Sequence, residues 1–168
     1  AVLMRAIVRY VQAFPLALHH PKEDQHLFKR LRERSSEVNA ELDELERQHH
    51  RDHQLVAELA TMVEALAACR DAPAALAATR ALEPVVQAYA SFLWDHMGRE
   101  EGVILPAAQR HLNEADWADI DAAFRKNRDP NFGGESDKEY RQLFSRIVNA
   151  APGWQSGQNA QPARTPMA

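Results

Sequence analysis

Residues 19–28 read HHPKEDQHLF, and residues 96–105 read HMGREEGVIL. In both segments a histidine is followed four residues later by a glutamate, then by a second acid and, further on, by two apolar residues. The offset between the segments is constant at 77 residues, from residue 19 to residue 96. Side chains four residues apart lie on one face of an α-helix. The repeat therefore predicts two helices that each present a histidine and a carboxylate on the same face.

The sequence around this repeat is predicted to be helical. From residue 2 to about residue 69, apolar residues recur at spacings of three and four, and glycine is absent, which is typical of amphipathic helices. The first predicted helix is about 2–34, and Pro15 and Pro21 either kink it or divide it into two abutting helices. Two long helices follow: 36–70, with a cap at Ser35 or Ser36, and 73–112, with Pro73 in its first turn. Two short helices come last: 114–127, with a cap at Asn113, and 140–150, with a capping box at 136–139.

Three long helices of similar length, joined by short turns, pack as antiparallel neighbours. We therefore expect an all-α, up-down helical bundle of three long helices with two short C-terminal helices. The bundle forms one domain, residues 1–151. Residues 152–168 are rich in Gly, Gln, Pro and Ala and are predicted to be a disordered tail.

Composition excludes several function classes. The net charge of −4 gives no basic surface of the kind that nucleic-acid-binding proteins use. Apolar runs are too short for a transmembrane span, so we expect no membrane partner. Cys69 is the only cysteine, which rules out an internal disulfide and a thiolate metal cluster and favours a cytoplasmic protein. Hydrolase and kinase functions are excluded because neither a nucleophile arrangement nor a glycine-rich phosphate loop is found.

Ionisable residues interrupt the apolar stripes of the three long helices. The predicted core positions that they occupy are His19 and Glu23 on the first helix, His49 and His53 on the second, and His96 and Glu100 on the third. Burial of so many ionisable groups is costly unless they are paired or bound to a metal. Imidazole and carboxylate without thiolate suit iron, manganese or zinc, and carboxylates from different helices can bridge two ions. A two-metal carboxylate site is therefore expected.

Neighbouring polar residues compete with two of these positions. His20 could reach the interior from the edge of the stripe, but the repeat aligns His19, and not His20, with His96. Glu100 lies about 40° from His96 around the helix and Glu101 about 140°, so Glu100 is preferred and Glu101 is the alternative. The remaining histidines and acids near the repeat are predicted to be edge, surface or supporting residues; these are His20, His26, His50, His111, Asp24 and Glu101.

The chain resembles the hemerythrin-like, or HHE cation-binding, family, and in particular bacterial members with helices similar to FPLALHHPKEDQHLF and LWDHMGREEGVILPAA. The resemblance covers about residues 3–150 and includes the segments NEADWADIDAAF and NRDPNFG. It implies a four-helix bundle around a non-haem di-iron site with histidine ligands and two bridging carboxylates. By position, the ligands it implies are His19, Glu23, His49, His53, His96 and either Glu100 or Glu101.

Family members also have a preceding helix that carries one more histidine ligand, and no residue before Ala1 supplies it. Three outcomes are expected from this difference. Either the sequence is N-terminally truncated, or a second copy in a homodimer covers the long apolar groove that the absent helix would leave open, or the site holds a single metal ion.

The function implied by the resemblance is binding or sensing of a small ligand such as O2 or NO, or of redox state. A ligand set dominated by histidine favours binding over strong oxidation chemistry, so a binding protein is preferred to an enzyme. The alternatives are a di-iron enzyme that consumes peroxide or NO in stress defence, and an iron-handling protein.

Overall fold

The computed structural model describes residues 1–126, together with Gln142 and Ser145. Within this part of the chain all regular structure is helical. The predicted helix at 140–150, its capping box, the loop before it and the predicted tail at 152–168 lie outside the described residues, except that Gln142 and Ser145 are both helical.

The first long helix, α1, runs without interruption from Val2 to Arg34, as the first of the two sequence-based alternatives predicted. Its successive pieces are α-helical Val2–Val11, π-helical Gln12–His19, α-helical His20–Lys22, π-helical Glu23–Phe28 and α-helical Lys29–Arg34. Pro15 lies inside the first π-helical piece and Pro21 lies between the two. Since proline cannot donate a backbone hydrogen bond, it favours such local widening of the helix.

Two further long helices follow. Helix α2 is Asn39–Ala68. Helix α3 consists of α-helical Ala72–Arg99, π-helical Glu100–Ile104 and α-helical Leu105–His111.

Short polar segments begin the later helices. Before α2, Ser35 Oγ accepts a hydrogen bond from the Glu37 amide at 3.1 Å, within the turn, and it does not cap the helix itself. Before α3, the Asp71 side chain accepts a hydrogen bond from the Ala74 amide at 2.8 Å. The chain therefore turns sharply at both ends of α2.

The short helix α4, Glu114–Arg125, begins with the predicted cap at Asn113. Asn113 accepts a hydrogen bond from the Asp116 amide at 3.0 Å, and the Asp116 carboxylate accepts one from the Asn113 amide at 3.1 Å. Arg34 adds two hydrogen bonds to the same carboxylate, each 2.8 Å long. These contacts attach α4 to the end of α1.

The four helices pack as a bundle whose core is divided into two apolar clusters. The cluster near the α1–α2 turn contains Leu27, Phe28, Leu31, Leu42, Leu45, Ile104 and Ile120, with Phe124 packed against it. The cluster near the α2–α3 turn contains Val8, Leu16, Val56, Leu59, Val63, Leu82 and Tyr89. On each long helix, a segment of polar residues lies between the two clusters. The bundle therefore contains a buried polar layer with apolar core on both sides.

None of the described helices is both long enough and apolar enough to cross a membrane.

Candidate metal centre

The polar layer is built from all three long helices. His20, Glu23, His49 and His96 are buried, and each offers a ligand atom that lies within 4.8 Å of the others. His19 and Glu100 complete the layer at its edge, where their side chains are 25 % and 17 % exposed. The layer therefore contains four imidazoles and two carboxylates, with its more accessible side at His19 and Glu100.

Glu23 lies at the centre of this arrangement. One carboxylate oxygen is 3.1 Å from His19 Nε2, and the other is 3.5 Å from His49 Nε2. Burial acts to raise the pKa of Glu23, but the contacts with His19 and His49 outweigh it and hold the pKa well below its usual range. Glu23 is therefore an anion placed among imidazoles.

Glu100 approaches the same point from α3. Its Oε1 lies 3.1 Å from His96 Nε2, and its carboxyl group also interacts with Glu23. Burial raises the pKa of Glu100, and the neighbouring Glu23 adds to the shift. Two adjacent carboxyl groups on different helices, each next to an imidazole, are a suitable arrangement for bridging two cations.

The buried imidazole rings pack closely. His20 stacks on His49 with ring centroids 4.2 Å apart and an interplanar angle of 8°, and His96 meets both rings edge-on at 5.3 and 5.0 Å. Burial and the neighbouring His49 lower the pKa of His20 to about 3. Burial alone would lower the pKa of His49 as well, but Asp24 and Glu23 raise it to about 9. The layer thus combines a neutral imidazole with a position that stabilises positive charge.

Several buried atoms of the layer have no regular hydrogen-bond partner among the described residues. They are Glu23 Oε2, His49 Nε2 and Glu100 Oε1. Buried polar atoms without partners are costly, and coordination to a cation would satisfy them. Because the donors are imidazole nitrogens and carboxylate oxygens, the layer suits iron, manganese or zinc. The residues present therefore fit a metal centre.

Side chains outside the layer orient two of the rings. His49 Nδ1 donates a hydrogen bond to Asp24 Oδ1 at 2.8 Å, and His96 Nδ1 donates one to Gln48 Oε1 at 3.0 Å. Gln48 in turn donates a hydrogen bond to Asp95 at 2.9 Å. Such contacts fix the orientation of metal-binding histidines. In both cases they leave Nε2 directed at a carboxylate of the layer.

The structure corrects two of the predicted placements. His53 was expected on the buried stripe of α2, but it is exposed and does not join the layer. His20 was expected at the edge, but it is 5 % exposed and lies inside the layer. The other predicted ligands, His19, Glu23, His49, His96 and Glu100, come together, whereas Glu101 is exposed.

The physical reason differs for the two histidines. On α2, both three- and four-residue steps from His49 stay near one helical face, and the structure takes the three-residue step to Asp52, which is 1 % exposed. On α1, His19 and His20 precede Glu23 by four and three residues, so both can neighbour it. Sequence reasoning missed Gln48 and Asp52, and it considered His20 but placed it at the edge of the stripe. The only available signal was their spacing from the predicted ligands.

Asp52 and Tyr89 form a second buried polar pair beside the layer. Burial raises the pKa of Asp52, and burial together with the Asp52 charge raises the pKa of Tyr89. Asp52 Oδ2 lies 3.9 Å from His20 Nδ1. The polar layer therefore continues from His20 toward Tyr89, at the border of the second apolar cluster.

Comparison with known proteins gives one family. A family model described as "Hemerythrin HHE cation binding domain" matches residues 1–108, which is more than half of the chain. Neither the curated proteins nor the solved structures gave a significant match.

Proposed function

Because the chain belongs to the hemerythrin HHE cation-binding domain family, we propose that it is a non-haem di-iron protein that binds or senses a small ligand such as O2 or NO, or responds to redox state. The observation that carries this proposal is the carboxylate pair formed by the buried Glu23 and the partly exposed Glu100, which interact with each other and are each in contact with at least one imidazole.

The residues that would hold the iron come from all three long helices. They are His19, His20 and Glu23 from α1, His49 from α2, and His96 and Glu100 from α3. When bound, iron in such a site supplies reversible one-electron chemistry and an open coordination position for a small ligand. Four imidazoles outnumber two carboxylates, and a ligand set with few anions favours reversible binding over strong oxidation chemistry.

Among the residues of the layer, His19 and Glu100 are the most accessible to solvent within the described part of the chain. The His19 side chain is 25 % exposed and that of Glu100 is 17 % exposed, whereas those of His20, Glu23, His49 and His96 are between 5 and 7 % exposed. The Phe124 ring of α4 meets the His19 ring edge-on at 5.7 Å. A diatomic ligand could therefore enter beside His19 and Glu100, while the apolar clusters exclude bulk water from the remaining sides.

The test uses two histidines of α2 that are one helical turn apart. His49→Ala removes a buried layer residue, whereas His53→Ala removes an exposed one. We expect wild type and His53→Ala to purify with iron, or to take it up, and to show an absorption band that appears under O2 and disappears under vacuum. His49→Ala should lose most of the iron and the band.

The result that would overturn the proposal is equally specific. Wild-type protein that takes up no more iron than His49→Ala does not use the layer as a metal site. Protein that binds iron but shows no reversible change with O2 or NO is not a carrier or sensor of these ligands.

One observation favours a second function, an enzyme that consumes peroxide or NO. Glu100 contacts Glu23 in the interior and is also partly exposed, so its carboxyl group can carry protons between solvent and the centre. Turnover of H2O2 or NO by the iron-loaded protein well above that of free iron would identify the enzyme. Turnover no faster than free iron would leave the binding protein.

A further inference from the structure

The three innermost histidines share one arrangement of their ring nitrogens. The Nδ1 atom of each ring faces a polar side chain that lies outside the layer. For His49 this is Asp24 at 2.8 Å, and for His96 it is Gln48 at 3.0 Å. For His20 it is Asp52, at 3.9 Å. The third contact is thus about 1 Å longer than the other two, and it is an electrostatic contact between the imidazole and the carboxylate and not a hydrogen bond.

Asp52 occupies a position where an apolar residue would be expected. It lies on the buried stripe of α2 between Leu45 and Val56, and it is 1 % exposed. Neither of its oxygens is in regular hydrogen-bond geometry with another group in the described part of the chain. A buried carboxylate without a strong partner destabilises a fold. Packing alone therefore does not account for Asp52.

Tyr89 also lies close to Asp52. Its hydroxyl group interacts with the Asp52 carboxylate, and its ring belongs to the second apolar cluster. A tyrosine hydroxyl can donate a hydrogen bond to a carboxylate, whereas a carboxylate can only accept. The Tyr89 hydroxyl and His20 Nδ1 are thus two donor groups close to one acceptor, the Asp52 carboxylate.

We propose that Asp52, supported by Tyr89, is a positioning residue that prepares His20 to bind a metal ion. This inference rests on the proposed metal-binding function. Asp52 Oδ2 lies 3.9 Å from His20 Nδ1, so a shift of about 1 Å would bring the two atoms within hydrogen-bond distance. The negative charge of Asp52 beside Nδ1 favours the tautomer in which Nε2 keeps its lone pair for the ion. The same residue adds negative charge close to the centre. Gln48 and Asp52 lie four residues apart on α2, so one face of this helix holds a histidine of α3 and a histidine of α1 in place.

The proposal predicts that replacing Asp52 lowers the affinity for a metal ion without lowering the stability of the metal-free protein. Asp52→Leu removes a costly buried charge, so the melting temperature of the metal-free protein should stay the same or rise. Loss of an outer hydrogen bond to a ligand lowers metal affinity 10- to 100-fold, so the affinity for Fe²⁺, measured anaerobically against a competing chelator, should fall by about that factor. A residue needed only for packing would lower both quantities.

Conservative and matched variants sharpen this test. Asp52→Asn keeps an acceptor oxygen, as Gln48 does for His96, and should retain most of the affinity. Tyr89→Phe should show a smaller loss than Asp52→Leu. His53→Ala changes the adjacent, exposed residue of α2 and should leave Fe²⁺ affinity unchanged.

A second measurement works without metal. Ring ¹⁵N chemical shifts in the metal-free protein should show His20 protonated at Nδ1 in wild type and in Asp52→Asn, with the tautomer balance changed in Asp52→Leu. Wild-type Fe²⁺ affinity in Asp52→Leu, or an unchanged tautomer, overturns the inference alone and leaves the proposed function intact. Absence of Fe²⁺ binding in wild type overturns the proposed function and, with it, this inference.

Discussion

Metal binding at His49 is expected to release a proton. Burial alone would lower the pKa of this imidazole, but Asp24 and Glu23 raise it to about 9, so the ring is almost fully protonated at pH 7.5. An ion can bind only after that proton leaves. Each pH unit below the pKa lowers the fraction of deprotonated imidazole about tenfold, which costs metal binding about 1.4 kcal/mol. The apparent affinity for Fe²⁺ should therefore rise about 50-fold between pH 7 and pH 9 and then level off.

Anaerobic calorimetric titration of the metal-free protein with Fe²⁺ measures this release directly, when it is repeated in two buffers of different ionisation enthalpy. At pH 7.5 we expect His49 to release close to one proton per protein molecule when Fe²⁺ binds. The matched variant is Asp24→Asn, which removes a carboxylate that raises the His49 pKa and should flatten the rise between pH 7 and pH 9. Binding that releases no proton at pH 7.5, with constant affinity over this range, would refute the reasoning.

Three other predictions concern the scaffold. Leu45→Ala, at a completely buried position, should lower the free energy of unfolding by about 2–5 kcal/mol; a loss below about 1 kcal/mol in denaturant unfolding contradicts this packing argument. Asn113→Ala removes the cap of α4 and should cost about 1 kcal/mol, seen as a lower melting temperature with unchanged iron content; an unchanged melting temperature contradicts the cap. Arg34 holds the pKa of Asp116 below its ordinary 3.8, so this carboxylate stabilises the fold above that pH, and the stabilisation is lost as pH falls through the lowered value. Asp116→Asn should thus be less stable at pH 7 and lose less stability on acidification, and an acid-unfolding curve identical to wild type would argue against the ion pair.

Much of the fold could be predicted from local patterns. The spacing of apolar residues indicated the three long helices, and each helix end lies within a few residues of its predicted position. The cap at Asn113 was also predicted and is confirmed. The π-helical pieces could not be predicted, because proline indicates a disturbance of the helix without specifying its geometry. Pro84, for example, lies inside a regular α-helical piece of α3.

The candidate site was predictable where two independent patterns agreed. Glu23 and Glu100 followed from the repeat and from the apolar stripes, and the structure brings them into contact. His53 was predicted from the apolar stripe of the second helix, traced through a four-residue step from His49, and from the family resemblance, but a three-residue step to Asp52 fits the same helix equally well. Hydropathy could not separate the two, because both residues are polar. The choice depends on the packing of α1 and α3 against α2, which a single helix does not encode.

The two copies of the sequence repeat, at 19–28 and 96–105, share a feature of the backbone. The π-helical pieces Glu23–Phe28 and Glu100–Ile104 both begin at the repeated glutamate, and His19 ends the π-helical piece before it. A π-helical turn is less favourable than an α-helical one and occurs frequently at functional sites. Here all three pieces border the polar layer, and apolar clusters on both sides can hold them in place. The glutamates that begin these two pieces, Glu23 on α1 and Glu100 on α3, interact with each other in the layer. The sequence repeat is thus best explained as a repeat of this backbone feature, which coincides with the two carboxylates of the polar layer.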